Sequence, residues 1–273
     1  MTAEERLRFY AERFPLVEVD STYYAPPSER LAGLWVARTP ADFVFDVKAF
    51  RLFTQHPTPP SSLWKDLRDE VPTELVAKRH LYVRDLPSEL VDEAFSRFAP
   101  ALTPLRSAGK LGVILFQLPP YLYPTRASFR YLADVAARLE GFTVAVEFRN
   151  GRWLDDEHRD VTFEFLAEHR LVYVAVDEPQ GFRSSVPPVV EVTNRGIAVV
   201  RFHGRNAETW EAKGISAAER FRYEYRPQEL AEWVPRIRRL REDADRVHLV
   251  FNNCYADYGV RAALLFAELL AST

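Results

Sequence analysis

The sequence predicts an α/β fold of the (β/α) barrel, or TIM, type, and three observations lead to that class. Short apolar segments of strand length alternate with longer segments whose apolar residues recur at helical spacing. The strand segments are almost continuously apolar, which is typical of a parallel sheet covered by helices. No phosphate-cradling glycine motif follows any strand, so a nucleotide-binding doubly wound sheet is not favoured.

Composition narrows the class of protein. The 273 residues are 47% hydrophobic and 27% charged, which is ordinary for a globular chain with a full core. The net charge of -3 provides no general attraction to nucleic acid or anionic membranes. Cys254 is the single cysteine, so we predict no internal disulfide, a reducing compartment and a cytoplasmic location. No hydrophobic signal segment or run of about 18 apolar residues occurs, and no membrane partner is expected.

The first part of the chain predicts two helices and two strands. Thr2 and Glu5 form a capping box before a helix that ends at Pro15. A strand over residues 16–21 follows, then a helix capped by Ser28, then a strand over residues 43–48. Residues 49–110 form a long connection with helical patterns near 62–71 and after Ser88. We interpret this connection as a helical insertion within a single domain of residues 1–273.

The rest of the chain repeats strand and helix regularly. With the two earlier strands, the pattern gives seven core strands, one fewer than the eight of a TIM barrel. A further short strand is predicted over residues 189–193, and amphipathic helices fill the connections. The five later core strands are predicted over residues 111–117, 143–149, 171–177, 197–203 and 246–253.

Polar residues fall on one face of several strands. Because side chains two residues apart share a face, Glu147 lies with Arg149, and Arg201 lies with His203. The same rule aligns Asp177 with Tyr173 and Ala175. We expect these polar faces to line the barrel interior, since the outer faces must contact apolar helices. The residues deeper in the strands are expected to form a paired structural network: Glu18, Asp46, Arg201 and His248.

The strand ends supply the candidate catalytic residues. Barrel enzymes place their chemistry at the carboxyl ends of the strands. Glu147 and Asp177 are the candidate general acid or base, and His203 is a proton-transfer partner near neutral pH. Lys48 is the fourth catalytic candidate, and with Arg149, His203 and Arg205 it could hold a phosphate or another anion. The full set of predicted substrate-binding residues is Arg149, Arg205, Asn206, Gln117, Asn252, Tyr23, His56 and Trp153.

Neither a metal nor another cofactor is predicted. Glu147, Asp177, His203 and His56 are chemically suitable ligands for a divalent metal, but no His-x-His or Glu-x-x-His spacing groups them. Cys254 is interpreted as a packed core residue rather than a nucleophile. The loops contain aromatic residues that would pack at the rim or stack on sugars or bases, among them Tyr121, Tyr123, Trp153 and Trp210.

Six segments in order resemble the YecE-like family of uncharacterised TIM-barrel proteins, domain of unknown function 72. They are FPLVEVDSTYY (14–24), FVFDVKA (43–49), LFQLPP (115–120), VEFR (146–149), RFHGRN (201–206) and FNN (251–253). The resemblance implies a TIM barrel and no established reaction. It also implies structural similarity to metal-dependent barrel endonucleases, which makes nucleic acid a conceivable partner. Family members normally begin with a strand that carries a Gly-x-Ser-Gly-aromatic turn, and this chain enters the first helix directly.

Three hypotheses for function follow. The first is an enzyme of hydrolase or lyase type that binds a small anionic or sugar-like substrate at the C-terminal mouth of the barrel and uses acid–base chemistry. The second is a nucleic-acid-binding protein or phosphodiesterase, which the net charge of -3 disfavours. The third is a non-catalytic binding protein whose interior charges only fill the barrel. The sequence predicts no oligomeric state.

Overall fold

A computed structural model describes residues 1–272. Parallel pairing is seen for β1/β2, β2/β3, β4/β5, β5/β6 and β6/β7. Parallel strands in chain order with helical connections are the arrangement of the TIM-type (β/α) fold, so the predicted class is confirmed. Within the described residues, seven strands follow one another in the sheet in chain order: β1 (Leu16–Val19), β2 (Val44–Lys48), β3 (Leu111–Gln117), β4 (Val144–Glu147), β5 (Val172–Asp177), β6 (Ala198–Phe202) and β7 (Val247–Phe251).

Helices occupy the connections between the strands. Short 3-10 helices lie at Pro60–Ser62, Val83–Asp85 and Gly151–Leu154. The α-helices are α1 (Ala3–Ala11), α2 (Ser21–Tyr24), α3 (Glu29–Ala37), α4 (Lys65–Glu70), α5 (Thr73–Val76), α6 (Ser88–Ala101), α7 (Thr103–Ser107), α8 (Arg126–Arg138), α9 (Arg159–Glu168), α10 (Ala217–Arg220), α11 (Pro227–Ala231), α12 (Val234–Asp243) and α13 (Tyr258–Ala271).

The chain divides into two compact units. The N-terminal unit comprises Met1–Pro119 and Ala137–Val144. The C-terminal unit comprises Pro120–Ala136 and the described residues from Ala145 onward. The prediction of a single domain over residues 1–273 stays a prediction.

Several predicted boundaries differ from the observed ones. Residues 20 and 21 do not extend β1, because Ser21 begins α2 and Asp20 precedes it. The strand predicted over residues 189–193 is wrong, since no strand forms there. Instead, the Thr193 hydroxyl donates to the Leu171 carbonyl (2.7 Å) and accepts from the Tyr173 amide (2.8 Å). A side chain therefore satisfies the backbone groups that a strand would have paired.

Aromatic packing fixes the helical connection between β2 and β3 in the N-terminal unit. Phe53 stacks on Phe95 of α6 with ring centroids 4.0 Å apart, and Phe98 meets the same ring edge-on. All three side chains are buried. Their burial and stacking explain why the connection between β2 and β3 packs into a compact structure rather than remaining an open loop.

Lys110 is a buried cation that ties β3 to the end of α3. Its Nζ donates to the carbonyls of Val36 (2.9 Å) and Thr39 (2.8 Å) and to the Thr39 hydroxyl (3.0 Å). A helix leaves its last carbonyls without intrahelical donors, and a cation is favoured at that end. Lys110, directly before β3, therefore caps the C-terminal end of α3.

Replacement of Lys110 by Met should destabilise the protein by about 1–3 kcal/mol, because part-buried acceptors on Val36 and Thr39 lose their donor. Urea unfolding followed by circular dichroism measures the change. Lys78→Met is the matched control, since Lys78 is exposed, and it should change stability little. Equal midpoints for the two variants would contradict the role given to Lys110.

Candidate functional site

The C-terminal unit buries a charged network at the carboxyl ends of β4 and β6. Glu147 is fully buried and accepts from Arg149 Nε at 2.6 Å and from Arg201 Nη1. His203 Nε2 lies 3.2 Å from Glu147 Oε1. Burial alone would raise the pKa of Glu147, but the charges of Arg201 and Arg149 hold that pKa well below its usual range. Glu147 is therefore a buried carboxylate paired with two guanidinium groups.

His203 is neutral within this network. Burial, and then the charge of Arg149, lowers the pKa of His203 to about 3. With its proton on Nε2, a neutral ring donates to Glu147 and accepts at Nδ1 from Asn252 Nδ2 (3.1 Å), and we assign this tautomer. Arg149 Nη2 can then donate only to Nδ1 of the ring. Arg149 Nη2 lies 3.1 Å from Nε2 and 3.4 Å from Nδ1. The imidazole thus has no unused nitrogen for a substrate in this arrangement.

Glu178 is a network member that the sequence reasoning missed. Its Oε2 accepts from Arg149 Nη1 at 3.0 Å, and its Oε1 accepts from the Val186 amide at 2.8 Å. Burial raises the pKa of Glu178 to about 8, against the opposing charge of Arg149. Its position directly after a strand end was the one available indication.

Asp177 lies on the opposite face from the one predicted. The register places it beside Phe202, whereas Val176 is beside Arg201, so Glu178 rather than Asp177 contacts Arg149. The predicted alignment of Asp177 with the interior charges is therefore wrong. Consecutive side chains of a strand point to opposite faces of the sheet, and every residue of β5 is buried.

Asp177 instead anchors the loop that follows β6. It accepts from Arg205 Nη2 (2.7 Å), from Arg205 Nε and from Tyr225 Oη (2.9 Å), and it also accepts from Trp233 Nε1. Tyr225 Oη accepts in turn from the Gly204 amide at 2.9 Å. Gly204 has φ +83°, and an added Cβ would lie 2.4 Å from Tyr223, so this turn requires glycine. These contacts make Asp177 and Arg205 part of the loop's anchor.

Three other predicted substrate-binding residues of the C-terminal unit contact protein groups: Asn206, Asn252 and Trp153. Asn206 Nδ2 donates to the Arg222 carbonyl at 2.9 Å, and Asn252 contacts His203 as described. Trp153 is fully buried and stacks on Phe148 at 4.4 Å, with Nε1 donating to the Leu122 carbonyl. Its ring has no face available to a ligand in this structure.

The remaining predicted residues belong to the N-terminal unit. Lys48 Nζ donates to Asp20 Oδ1 at 3.0 Å and lies 5.1 Å from the centre of the Tyr23 ring. His56 meets that ring edge-on and shares a 2.8 Å hydrogen bond between Nδ1 and the Thr54 hydroxyl. Gln117 ends β3 and is half-buried. Asp46 of the predicted structural network is buried, and its Oδ1 accepts from the Val113 amide at 2.9 Å.

A cavity of about 580 Å³ opens in the C-terminal unit, and we name it the Trp210 cavity. Tyr121 and Tyr123 contribute rings that are 49% and 38% exposed, whereas Trp210 is 5% exposed. Three lining residues are cationic and one is acidic. The cavity is lined by Pro120, Tyr121, Tyr123, Arg183, Ser184, Trp210, Glu211, Lys213 and Arg220.

Trp210 connects this cavity to the buried network. Arg149 Cζ lies 5.0 Å from the centre of its ring, and the His203 ring lies 6.3 Å away. Arg220 donates to the carbonyls of Trp210 and Ala212, which fixes the loop that carries the indole. Within residues 1–272, Trp210 Nε1 is buried and has no acceptor. One ring therefore separates the charged network from a cavity with aromatic and cationic walls.

Two further features concern metals and Cys254. In the part of the chain that the structure describes, no three His, Cys, Asp or Glu side chains are grouped so as to hold a metal ion. Cys254 is exposed, so its interpretation as a packed core residue is wrong. Cys254 lies in the loop between the end of β7 and the start of α13, outside both elements.

Comparison with known proteins identifies the family. The model of "Protein of unknown function DUF72" matches residues 1–273. The chain belongs to the DUF72 family. It is 31% identical to UPF0759 protein YunF of Bacillus subtilis (strain 168) over 254 residues, which are 92% of this chain and 81% of that protein.

Two solved DUF72 structures are similar to this chain. A protein from Enterococcus faecalis V583 gives a TM-score of 0.80 at 26% identity, covering 97% of this chain and 88% of that one. A protein from Thermotoga maritima MSB8 gives 0.76 at 29% identity, covering 99% and 91%. Among the described residues of this DUF72 protein, no helix has the length and apolar character to cross a membrane.

Glu147→Gln should destabilise this DUF72 protein by about 3–5 kcal/mol, because two buried guanidinium groups lose their shared carboxylate. Urea unfolding at neutral pH measures the loss. Glu157→Gln, at an exposed position, is the control and should unfold with the wild type. Wild-type stability in Glu147→Gln would show that the ion pairs contribute nothing.

Stability should also depend on pH through Glu178. Its folded-state pKa of about 8 lies above the ordinary 4.5, so its contribution is full below pH 4.5 and is lost as pH rises through 8. His203 has the opposite sign, because its folded pKa of about 3 lies below 6.5, and its contribution is lost as pH falls from 6.5 towards 3. Between pH 6.5 and 8, therefore, the DUF72 protein should lose stability as pH rises, and Glu178→Gln should lose much less. Urea midpoints across that range test this, and parallel curves for the two proteins would refute it.

Proposed function

We propose that this DUF72 protein binds a small anionic ligand that carries a sugar or aromatic ring, and that the Trp210 cavity is the binding site. The observation that carries the proposal is the composition of the cavity wall. Exposed Tyr121 and Tyr123 rings lie with Arg183 and Lys213 around a space of about 580 Å³. Ligand sites commonly combine such apolar surfaces with a few polar groups that fix orientation.

The charges of the wall favour an anion. Within residues 1–272, neither Arg183 nor Lys213 has an ion-pair partner, whereas Glu211 accepts from the Ser184 hydroxyl at 2.6 Å. Two uncompensated cations beside aromatic rings attract a negatively charged group and a planar or pyranose ring together. The unused Trp210 Nε1–H gives a further donor close to the same space.

The buried network supports binding more directly than turnover. Glu147 and Asp177, the predicted general acid or base, and His203, the predicted proton-transfer partner, use their polar atoms on protein partners. General acid–base catalysis needs such a group within hydrogen-bond reach of the substrate. Hydrolase or lyase activity would therefore require a change of partners in the network, whereas a binding function requires none.

Isothermal titration against sugar phosphates, nucleoside monophosphates and their uncharged counterparts tests the proposal. The anionic compounds should bind and the uncharged ones should bind weakly or not at all. Tyr123→Ala and the double variant Arg183→Gln/Lys213→Gln should each weaken binding by about tenfold or more, as expected for loss of a stacked ring or of paired charges. Lys78→Gln, on the exposed surface, should bind as the wild type does. Unchanged affinity in both cavity variants would reject the site.

A single-stranded oligonucleotide titrated at low salt separates the nucleic-acid hypothesis from this one. Because phosphate contacts dominate such binding, an oligonucleotide that binds far more tightly than any monophosphate, with strong salt dependence, would favour that hypothesis. Product formation from any bound compound, followed by phosphorus NMR, would establish turnover.

A further inference from the structure

Arg51 lies in a cationic cluster of the N-terminal unit, at the carboxyl ends of β1 and β2. Lys48 ends β2, Arg51 follows it closely, and Tyr23 belongs to α2 after β1. The Arg51 amide donates to the Tyr23 carbonyl at 3.1 Å, which joins the two loops. Lys48 Nζ and Arg51 Cζ lie 5.1 and 5.3 Å from the centre of the same Tyr23 ring. Two cations thus face one aromatic ring.

The two cations differ in how their charges are satisfied. Lys48 donates to Asp20 at 3.0 Å. Over residues 1–272, the Arg51 guanidinium has no ion pair or hydrogen bond, and its Nε is buried without an acceptor. Buried polar groups almost always have partners, and an unsatisfied charged donor is costly. The structure therefore holds a half-buried guanidinium that still needs an oxygen acceptor.

The backbone around Arg51 is fixed without any ligand. The Arg51 carbonyl accepts from the His56 amide (3.1 Å) and from the Thr54 hydroxyl (3.2 Å). Gln55, within this turn, adopts the left-handed φ of 65° that closes it. A guanidinium held on an ordered turn loses little conformational freedom when it binds an anion.

We propose that Arg51 anchors an oxyanion-binding site for a phosphate group, with Lys48 as the second cation and the Tyr23 ring beneath them. The guanidinium fork matches two oxygens of a phosphate, and Lys48 adds a point charge to the same anion. The site lies within the N-terminal unit and involves none of the residues of the Trp210 cavity. It therefore does not depend on the function proposed for that cavity.

The test compares thermal unfolding of the full chain in inorganic phosphate and in chloride at equal ionic strength. Phosphate should raise the wild-type midpoint in a saturable way, because a ligand that binds only the folded state stabilises it. Arg51→Gln should weaken phosphate binding at least tenfold. Arg30→Gln, at an exposed position of α3, should keep the wild-type response. A glucose phosphate titration then distinguishes the free ion from a phosphate ester, and loss of either response in Arg51→Gln supports the site.

A purely structural role for Arg51 predicts a different result. It would make Arg51→Gln and Arg51→Met less stable in chloride and leave the phosphate response of the folded protein intact. The proposed site predicts that Arg51→Met is at least as stable as the wild type in chloride, since an unsatisfied donor has been removed. Arg183→Gln/Lys213→Gln, which removes two cations of the Trp210 cavity, should leave the phosphate response of the Arg51 site, and this separates the two sites. Absence of a phosphate effect in the wild type, or the same effect in the Arg51 variants, would overturn the proposal.

Discussion

The buried carboxylate of Glu147 is the constraint on which the interior of the C-terminal unit depends. A charge removed from water must be paired and hydrogen-bonded, or the fold loses several kcal/mol. Arg149 and Arg201 supply the pairs, and they come from the ends of different strands. A slip of one residue in the register of β6 would turn Arg201 to the other face and leave Glu147 unpaired. The network therefore specifies strand register as well as filling space.

The same network fixes the guanidinium that lies against Trp210, the ring that lines the cavity. Arg149 is shared by Glu147 and Glu178, and its guanidinium also lies against Trp210. Its orientation is thus set by two buried carboxyl groups before any ligand arrives. Fixed charges and dipoles of this kind interact strongly with a ligand because they need no reorganisation.

Strand positions and one polar face were predictable because they follow from local pattern. The alternation of Glu147 with Arg149 and of Arg201 with His203 was enough to place those four side chains together. The predicted face of Asp177 was wrong for a physical reason. Every residue of β5 is buried, so hydropathy does not distinguish the two faces of this strand. Polarity does not distinguish the faces either, because Asp177 and Glu178 place one carboxyl group on each of them.

The Trp210 cavity could not be predicted from local sequence pattern, because it is formed by loops that meet only in the folded chain. Its walls come from loops around residues 120–123, 183–184 and 210–220, which are distant in the chain. Their meeting depends on specific anchors, such as Arg220 on the carbonyls of its own loop and Tyr225 on Asp177. Trp153 shows the opposite error. Its position beside an arginine predicted a ring available for stacking on a ligand, but the ring is buried in the core.

Charge satisfaction distinguishes the residues that hold the fold from those that we propose bind a ligand. Glu147, Arg149, Asp177 and Arg205 have their polar atoms on protein partners, and their removal should first be felt as lost stability. Arg183, Lys213 and Arg51 are cations for which the described chain provides no anion. Sequence polarity alone could not separate these two groups, because both consist of charged residues. The hydrogen-bond and ion-pair partners in the structure separate them, and the second group is the one that can bind a ligand without losing a protein partner.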